Sequence, residues 1–302
     1  MRVLVIGAGS IGRRHAANLV TLGADAVLLP WRETSAGDVA ARLPDFDAAV
    51  IATATDIRLP LIAACGTVGV PFYCEKPLAF RTADLDAIAQ AAAPVAARSA
   101  VGFMMRYHAG FRRLAEADLS TAFRFAFAIG HDVTQWRANW RFSDSYAARP
   151  EGGGVLLDLC HEIDMAACLL PGLSLIATES LGHAAYPGVD MASHLTLRAG
   201  NAVGTVAMDY LAPSLIRRAR IDTLSGPVTM DFAAGRFGEE AIDQDRNAMF
   251  LALMQDFLTH AQGTTITTPF FPAFDAVQSA CRLIASAWEA RRFHGHTPKE
   301  IP

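Results

Sequence analysis

The sequence predicts an α/β fold in two domains: an N-terminal doubly wound parallel sheet and a C-terminal α+β domain with a mostly antiparallel open sheet. Three observations predict it. Short apolar runs alternate with helical stretches up to about residue 105, a glycine-rich turn joins the first run to the first helix, and from residue 123 extended runs follow one another with few helices between them. Strict alternation implies parallel neighbours, because parallel strands can be joined only by a long crossover. Succession without crossovers favours antiparallel pairing.

Taken in order, residues 3–6, 26–29, 48–52, 72–74 and 100–103 read as strands, with helices at 11–22, 57–68 and 83–92. A helix over 108–119 leads out of this domain. Extended runs then fall at 123–129, 173–181, 193–197, 202–210, 216–223 and 228–232. One helix, 155–170, ends at Pro171-Gly172, and two more, 247–261 and 274–292, close the chain. The boundary is drawn after residue 118, giving a dinucleotide-binding domain over 1–118 and a substrate-binding and oligomerisation domain over 119–302. Val203, Val206 and Met208 leave open which side of the second sheet faces out.

Composition narrows the function. With 302 residues, 52% of them hydrophobic, the chain has material for two cores. A formal net charge of −4 and the lack of a basic block argue against nucleic acid as a partner. The opening MRVLVIGAG has a short apolar run with no cleavage-site pattern after it, so it reads as neither a signal peptide nor a membrane span, and the expected location is the cytoplasm. The five cysteines, Cys65, Cys74, Cys160, Cys168 and Cys281, form no C-x-x-C pair. They read as small buried hydrophobes, and no metal site is expected.

Gly7-x-Gly9-x-x-Gly12 lies between the first strand and the first helix, where a Rossmann dinucleotide fingerprint belongs. Gly7 permits the tight turn, Gly9 lets the backbone approach a pyrophosphate, and Gly12 lets helix and sheet pack closely. Ser10 and Ile11 fall inside the same segment, and Thr53 follows the third strand. These are the cofactor candidates, with Glu75 and Lys76 at the end of the fourth strand. After the second strand stand Trp31 and Arg32 where an acid is usual for NAD. Arg32 can pair with a 2′-phosphate and Trp31 can lie on adenine, which tilts the expected NAD(P) toward NADP; Glu33 doing the acid's work is the alternative.

Lys76 is one of only two lysines, the other being Lys299, against 24 arginines. Where charge alone is needed this chain writes arginine, so Lys76 calls for its own explanation: an amine can pass protons and a guanidinium cannot. A surface pair with Glu75 is the bland alternative. In the run 155–170, Asp158, His161 and Asp164 recur at three-residue spacing, which on one helix brings a carboxylate beside an imidazole, as proton transfer at a carbinol requires. Buried polar groups paired with nearby arginines would give the same pattern.

The glycine turn, Glu75-Lys76-Pro77, VGFMMRYHAGFRRL at 101–114 and WRFSDSYAARPEGGGVLLDLCHEID at 140–164 occur in that order. On these the chain resembles the glucose-fructose oxidoreductase/inositol dehydrogenase/MocA family over nearly its whole length. The resemblance implies hydride exchange between nicotinamide and a carbinol carbon of a sugar, cyclitol or related polyol. It implies Lys76, His161 and Asp158 as catalytic residues, with Lys76, Arg106, Tyr146, Asp158, His161 and Asp164 meeting substrate. It also implies a homodimer or homotetramer through the second sheet. Two departures stand out: three residues rather than four separate Asp158 from His161, and Met104 stands where relatives often carry Asn. Other functions on this fold are a non-catalytic cofactor-binding sensor or partner subunit, and an enzyme that uses tightly bound NAD for transient oxidation.

Overall fold

The computed structural model describes residues 1–135 and 141–301. By backbone contact the chain forms two compact units, Met1–Tyr107 with Asp245–Cys281, and His108–Gln244 with Arg282–Pro302. The boundary after residue 118 follows chain order; this grouping does not, because a later helix returns to the first unit.

In the first unit, β1 (Arg2–Ile6), β2 (Asp25–Leu29), β3 (Ala48–Ile51), β4 (Phe72–Cys74) and β5 (Ala100–Val101) form a parallel sheet of order β2-β1-β3-β4-β5. Val3 to Ile6 and Ala48 to Ile51 are fully buried, which is why the central strands read as unbroken apolar runs. The crossovers carry α1 (Ser10–Thr21), α2 (Ala36–Arg42), α3 (Arg58–Val68) and α4 (Thr82–Ala92). Helix α2 was not expected: it buries only Val39, so it has no apolar stripe to reveal it, and a Ser35/Asp38 capping box starts it. The chain reverses direction in the sheet at β1, so the carboxyl ends of β1 and β3 flank a topological switch point, where open α/β sheets bind ligands.

Past the second sheet, α8 (Arg246–Ala261) packs against this unit. Phe257 lies edge-on to Tyr73 at 5.7 Å between centroids and Phe250 to His15 at 6.0 Å. The amides of Asn18 and Asn247 exchange hydrogen bonds at 3.3 and 3.1 Å.

The second unit holds α5 (Ala109–Glu116) and nine strands: β6 (Ala122–Gly130), β7 (Ser174–Gly182), β8 (Ala192–Ala199), β9 (Ala202–Asp209), β10 (Ile216–Thr223), β11 (Gly226–Asp231), β12 (Arg236–Phe237), β13 (Glu240–Ala241) and β14 (Arg291–His296). Their order is β13-β12-β11-β10-β6-β9-β8-β7-β14, antiparallel except at β6–β9 and β7–β14. Val206 and Met208 are buried with Phe125, Phe127 and Leu195, whereas Val203 is 48% exposed, so the open face carries Val203, Thr205 and Ala207.

Two expected helices come out differently. The run 155–170 is two helices, α6 (Val155–Asp158) and α7 (His161–Leu169), and the last helix is α9 (Gln278–Glu289) after a single turn at Asp275–Val277. The residues just beyond α9 form β14, whose exposed, polar pattern gave no strand signal; pairing with β7 makes it one.

His108 caps α5: its Nδ1 accepts from the Gly110 amide at 2.9 Å, which requires an unprotonated nitrogen. Burial, with help from the Arg217 charge, pushes its pKa down to about 4. A depressed histidine pKa contributes stability that is whole above its unfolded value, near 6.5, and is lost as pH falls toward 4. Unfolding between those pH values is therefore expected to take up a proton. His108→Asn retains a capping acceptor and should flatten that pH slope in thermal melts.

Candidate active site

In the first unit the candidate residues gather at the carboxyl ends of β1, β3 and β4. Gly7 has φ +108°, and a Cβ there would sit 2.5 Å from the Ala52 carbonyl oxygen; its amide donates to Leu29 O at 2.8 Å. A Cβ on Gly12 would lie 1.8 Å from Gly7 O, so helix and turn touch backbone to backbone. Gly9 is the opposite case, with nothing within 4 Å of where its Cβ would be. Gly9 is also the N-cap of α1 and supplies no side-chain cap, leaving the first-turn amides of Ser10, Ile11 and Gly12 at a positive helix end. Two glycines close the turn and the third keeps its approach clear, as a bound pyrophosphate requires.

Thr53 stands just past β3, and its buried hydroxyl has no hydrogen-bond partner among the described residues. An orphaned polar atom at the switch point is what an absent ligand leaves behind, so these residues fit a dinucleotide. Trp31 and Arg32 lie in a 3-10 turn directly after β2, Trp31 half-buried and Arg32 exposed.

Glu75 is buried, and its carboxylate is used within the protein. Oε1 lies 2.7 Å from His15 Nε2 and accepts from the Tyr73 hydroxyl at 3.2 Å, while Oε2 accepts from the Lys76 amide at 3.3 Å. Burial works to raise its pKa, but the His15 hydrogen bond and charge, with Lys76 and Arg58, outweigh it and hold the pKa below the usual value. Glu75 therefore ties the end of β4 to α1. Lys76 is half-buried at that strand end. Arg106 is buried with Met104, and its Nη1 donates to Phe270 O at 3.4 Å.

In the second unit, Asp158 ends α6 and His161 begins α7, so their spacing is not that of one continuous helix. Tertiary bonds fix α6: Val155 and Leu156 amides donate to Asp190 O and Oδ2 at 3.0 and 2.9 Å. Tyr146, exposed, donates to Asp158 Oδ1, and buried Tyr210 donates to Oδ2 at 3.0 Å. Burial and the Asp158 charge push the Tyr210 pKa well up, so it remains a donor. Both half-buried groups, Asp158 and His161, contrast with Asp164, which is fully buried. Trp140, which opens the 140–164 stretch, lies outside the described residues.

Sequence reading missed His15, Tyr73, Arg58, Tyr210 and Asp190. His15 and Tyr210 act through partners 60 and 52 residues away, a separation for which spacing carries no signal, whereas the Tyr73 hydroxyl donates to Glu75 only two residues on.

The two grades of glycine separate in a test. Gly12→Ala forces a backbone clash and is expected to cost about 1–3 kcal/mol of stability. Gly9→Ala should leave the melting temperature unchanged and weaken NAD(P)H binding at least about tenfold by filling the space a pyrophosphate needs. Calorimetric melts and a fluorescence titration measure both.

No family model matches the chain. It is 30% identical over 195 residues to "Myo-inositol 2-dehydrogenase" of Thermotoga maritima, covering 56% of this chain and 55% of that protein. The chain thus spans about half the length of that relative. It is 26% identical over 322 residues to "Inositol 2-dehydrogenase 2" of Paenarthrobacter aurescens, covering 99% and 89%. Its fold matches a solved "Levoglucosan dehydrogenase, complex with NADH and L-sorbose", with TM-score 0.73 and 18% identity over 96% of this chain and 97% of that one. Among the described residues, no helix is long and apolar enough to cross a membrane.

Proposed function

We propose that the chain, which resembles the glucose-fructose oxidoreductase/inositol dehydrogenase/MocA family, is an NAD(P)-dependent oxidoreductase of a cyclitol, sugar or related polyol. The observation that carries this reading is the glycine turn, closed at Gly7 and Gly12 and open over Gly9, with Lys76 following β4 at the same edge of the sheet. The names of the relatives, which act on inositol, favour a cyclitol among the candidates.

In this reading Gly7, Gly9, Ser10, Ile11 and Gly12 would hold the pyrophosphate, and Thr53, Glu75 and Lys76 would bind the rest of the cofactor. A bound nicotinamide supplies the hydride acceptor. Lys76 takes the proton of the carbinol hydroxyl, and His161 serves as a second proton carrier. Asp158, fixed by the Tyr146 and Tyr210 hydroxyls, is a substrate-orienting carboxyl group of the second unit. Tyr146, Arg106 and Asp164 contribute to substrate binding. Arg32 and Trp31 incline the cofactor toward NADP. A homodimer or homotetramer through the open sheet face, and a cytoplasmic location, complete the reading.

The test is a screen of cyclitols, sugars and sugar acids with NAD and with NADP, reading reduced nicotinamide. Turnover of a polyol, faster with NADP, is expected. A folded protein that binds neither cofactor and reduces neither with any of the compounds overturns the proposal.

A further inference from the structure

We propose that Arg58 is a positioning residue that sets the place of Lys76 by clamping the backbone on both sides of it. The inference rests on the oxidoreductase reading only for its kinetic consequence. Arg58 is the first residue of α3, 4% exposed, and its guanidinium reaches back across two strand ends. Its Nη1 donates to Glu75 O at 2.5 Å and to Pro77 O, and its Nη2 donates to Thr53 O at 2.9 Å. The carbonyls at positions 75 and 77 bracket Lys76, and the third belongs to the residue that follows β3.

A buried cation is costly unless its hydrogen bonds are satisfied. This one turns Nη1 and Nη2 onto neutral carbonyls at the ligand-binding edge, while its buried Nε finds no hydrogen-bond partner among the described residues. Besides its share in holding the Glu75 pKa down, the guanidinium adds geometry. A guanidinium is a rigid planar fork, so bonding three carbonyls at once fixes the ends of β3 and β4 relative to each other and removes freedom from the Lys76 backbone. Glu75 completes the bracing from the other side, through His15 and the Lys76 amide. Misplacement of a reacting group by about 1 Å can cost on the order of 10²-fold in rate, so an amine that must meet a proton at one place gains from such bracing.

The chain's two lysines make this measurable without any cofactor or turnover. Limited acylation of the intact protein, followed by peptide mass spectrometry, gives the reactivity of Lys76 with Lys299 as the internal reference. In Arg58→Met, Lys76 reactivity is expected to change several-fold while Lys299 is unchanged. Should that variant fail to fold, Arg58→Gln serves, keeping a donor for one carbonyl. Arg58→Lys keeps the charge but cannot bridge three carbonyls and is expected not to restore the wild-type value. In turnover, Arg58→Met should lower kcat about 10²-fold with NAD(P)H affinity within about threefold. Its effect should vanish in a Lys76→Met background, because a residue that acts through Lys76 has nothing left to act on. Unchanged Lys76 labelling, full rescue by Arg58→Lys, or effects that multiply with Lys76→Met would each overturn the clamp. A wild-type protein that oxidises no polyol would sink the oxidoreductase reading alone, and the labelling would still decide for or against Arg58.

Discussion

Lys76→Arg is expected to lower polyol turnover by about 10²–10⁴-fold while NAD(P)H affinity stays within a few-fold. The substitution keeps a positive charge at the end of β4, so any role for Lys76 as a simple counter-charge survives it. What it removes is an amine, a group able to hand on a proton, which a guanidinium cannot do. Rate and affinity are read separately, by initial velocities and by fluorescence titration. Near-normal velocity in the variant would remove Lys76 from the chemistry and leave it a charge at the strand end.

Arg291→Met is expected to destabilise the second unit by about 3–5 kcal/mol, because it strands a buried carboxylate. Asp190 is fully buried and lies 2.5 Å from Arg291 Nη1, whose side chain is 8% exposed. The other bonds of Asp190 go to structure: Oδ2 accepts from the Leu156 amide and from Ser193 Oγ at 2.7 Å. Arg291 lies over the Trp288 ring at 4.2 Å, and the Trp288 indole donates to Gly153 O at 3.3 Å. Through these contacts one ion pair holds the glycine loop and α6, which carries Asp158. Thermal melts should show a fall in Tm of order 10 °C. The double variant Asp190→Asn with Arg291→Met should recover part of it, as no charge is then left unmatched. Equal loss in the single and double variants would show that packing, and not the buried charge, sets the cost.

The first sheet was legible in the sequence because its central strands are buried on both faces and most of its crossovers bury several side chains. Runs such as residues 3–6 and 48–51, and a glycine turn between strand and helix, are local signals of local structure. Legibility failed where distant partners decide the outcome. The run 155–170 looks continuously helical, yet Asp190 anchors its first turn and the chain breaks after Asp158. Strand β14 has no apolar alternation and exists by its pairing with β7, and α2 buries a single side chain. For the site the same division holds. Lys76 stood out by composition, and the glycines by spacing. The neighbours that hold them, Arg58, His15 and Tyr73, were silent, since a guanidinium bonding carbonyls 17 and 19 residues on leaves no trace in a pattern.

The central claim is that this chain moves hydride from a carbinol carbon to a nicotinamide held on the Gly7–Gly12 turn. Its most direct test follows the label: a polyol selected by the screen, deuterated at the carbinol carbon, is oxidised and the reduced cofactor is analysed by mass spectrometry and NMR. Deuterium at nicotinamide C4, in one stereochemical position and with slowed turnover, is the predicted result. Reduced cofactor that forms without the label, or label that returns to the product carbon with no net reduction, would contradict it.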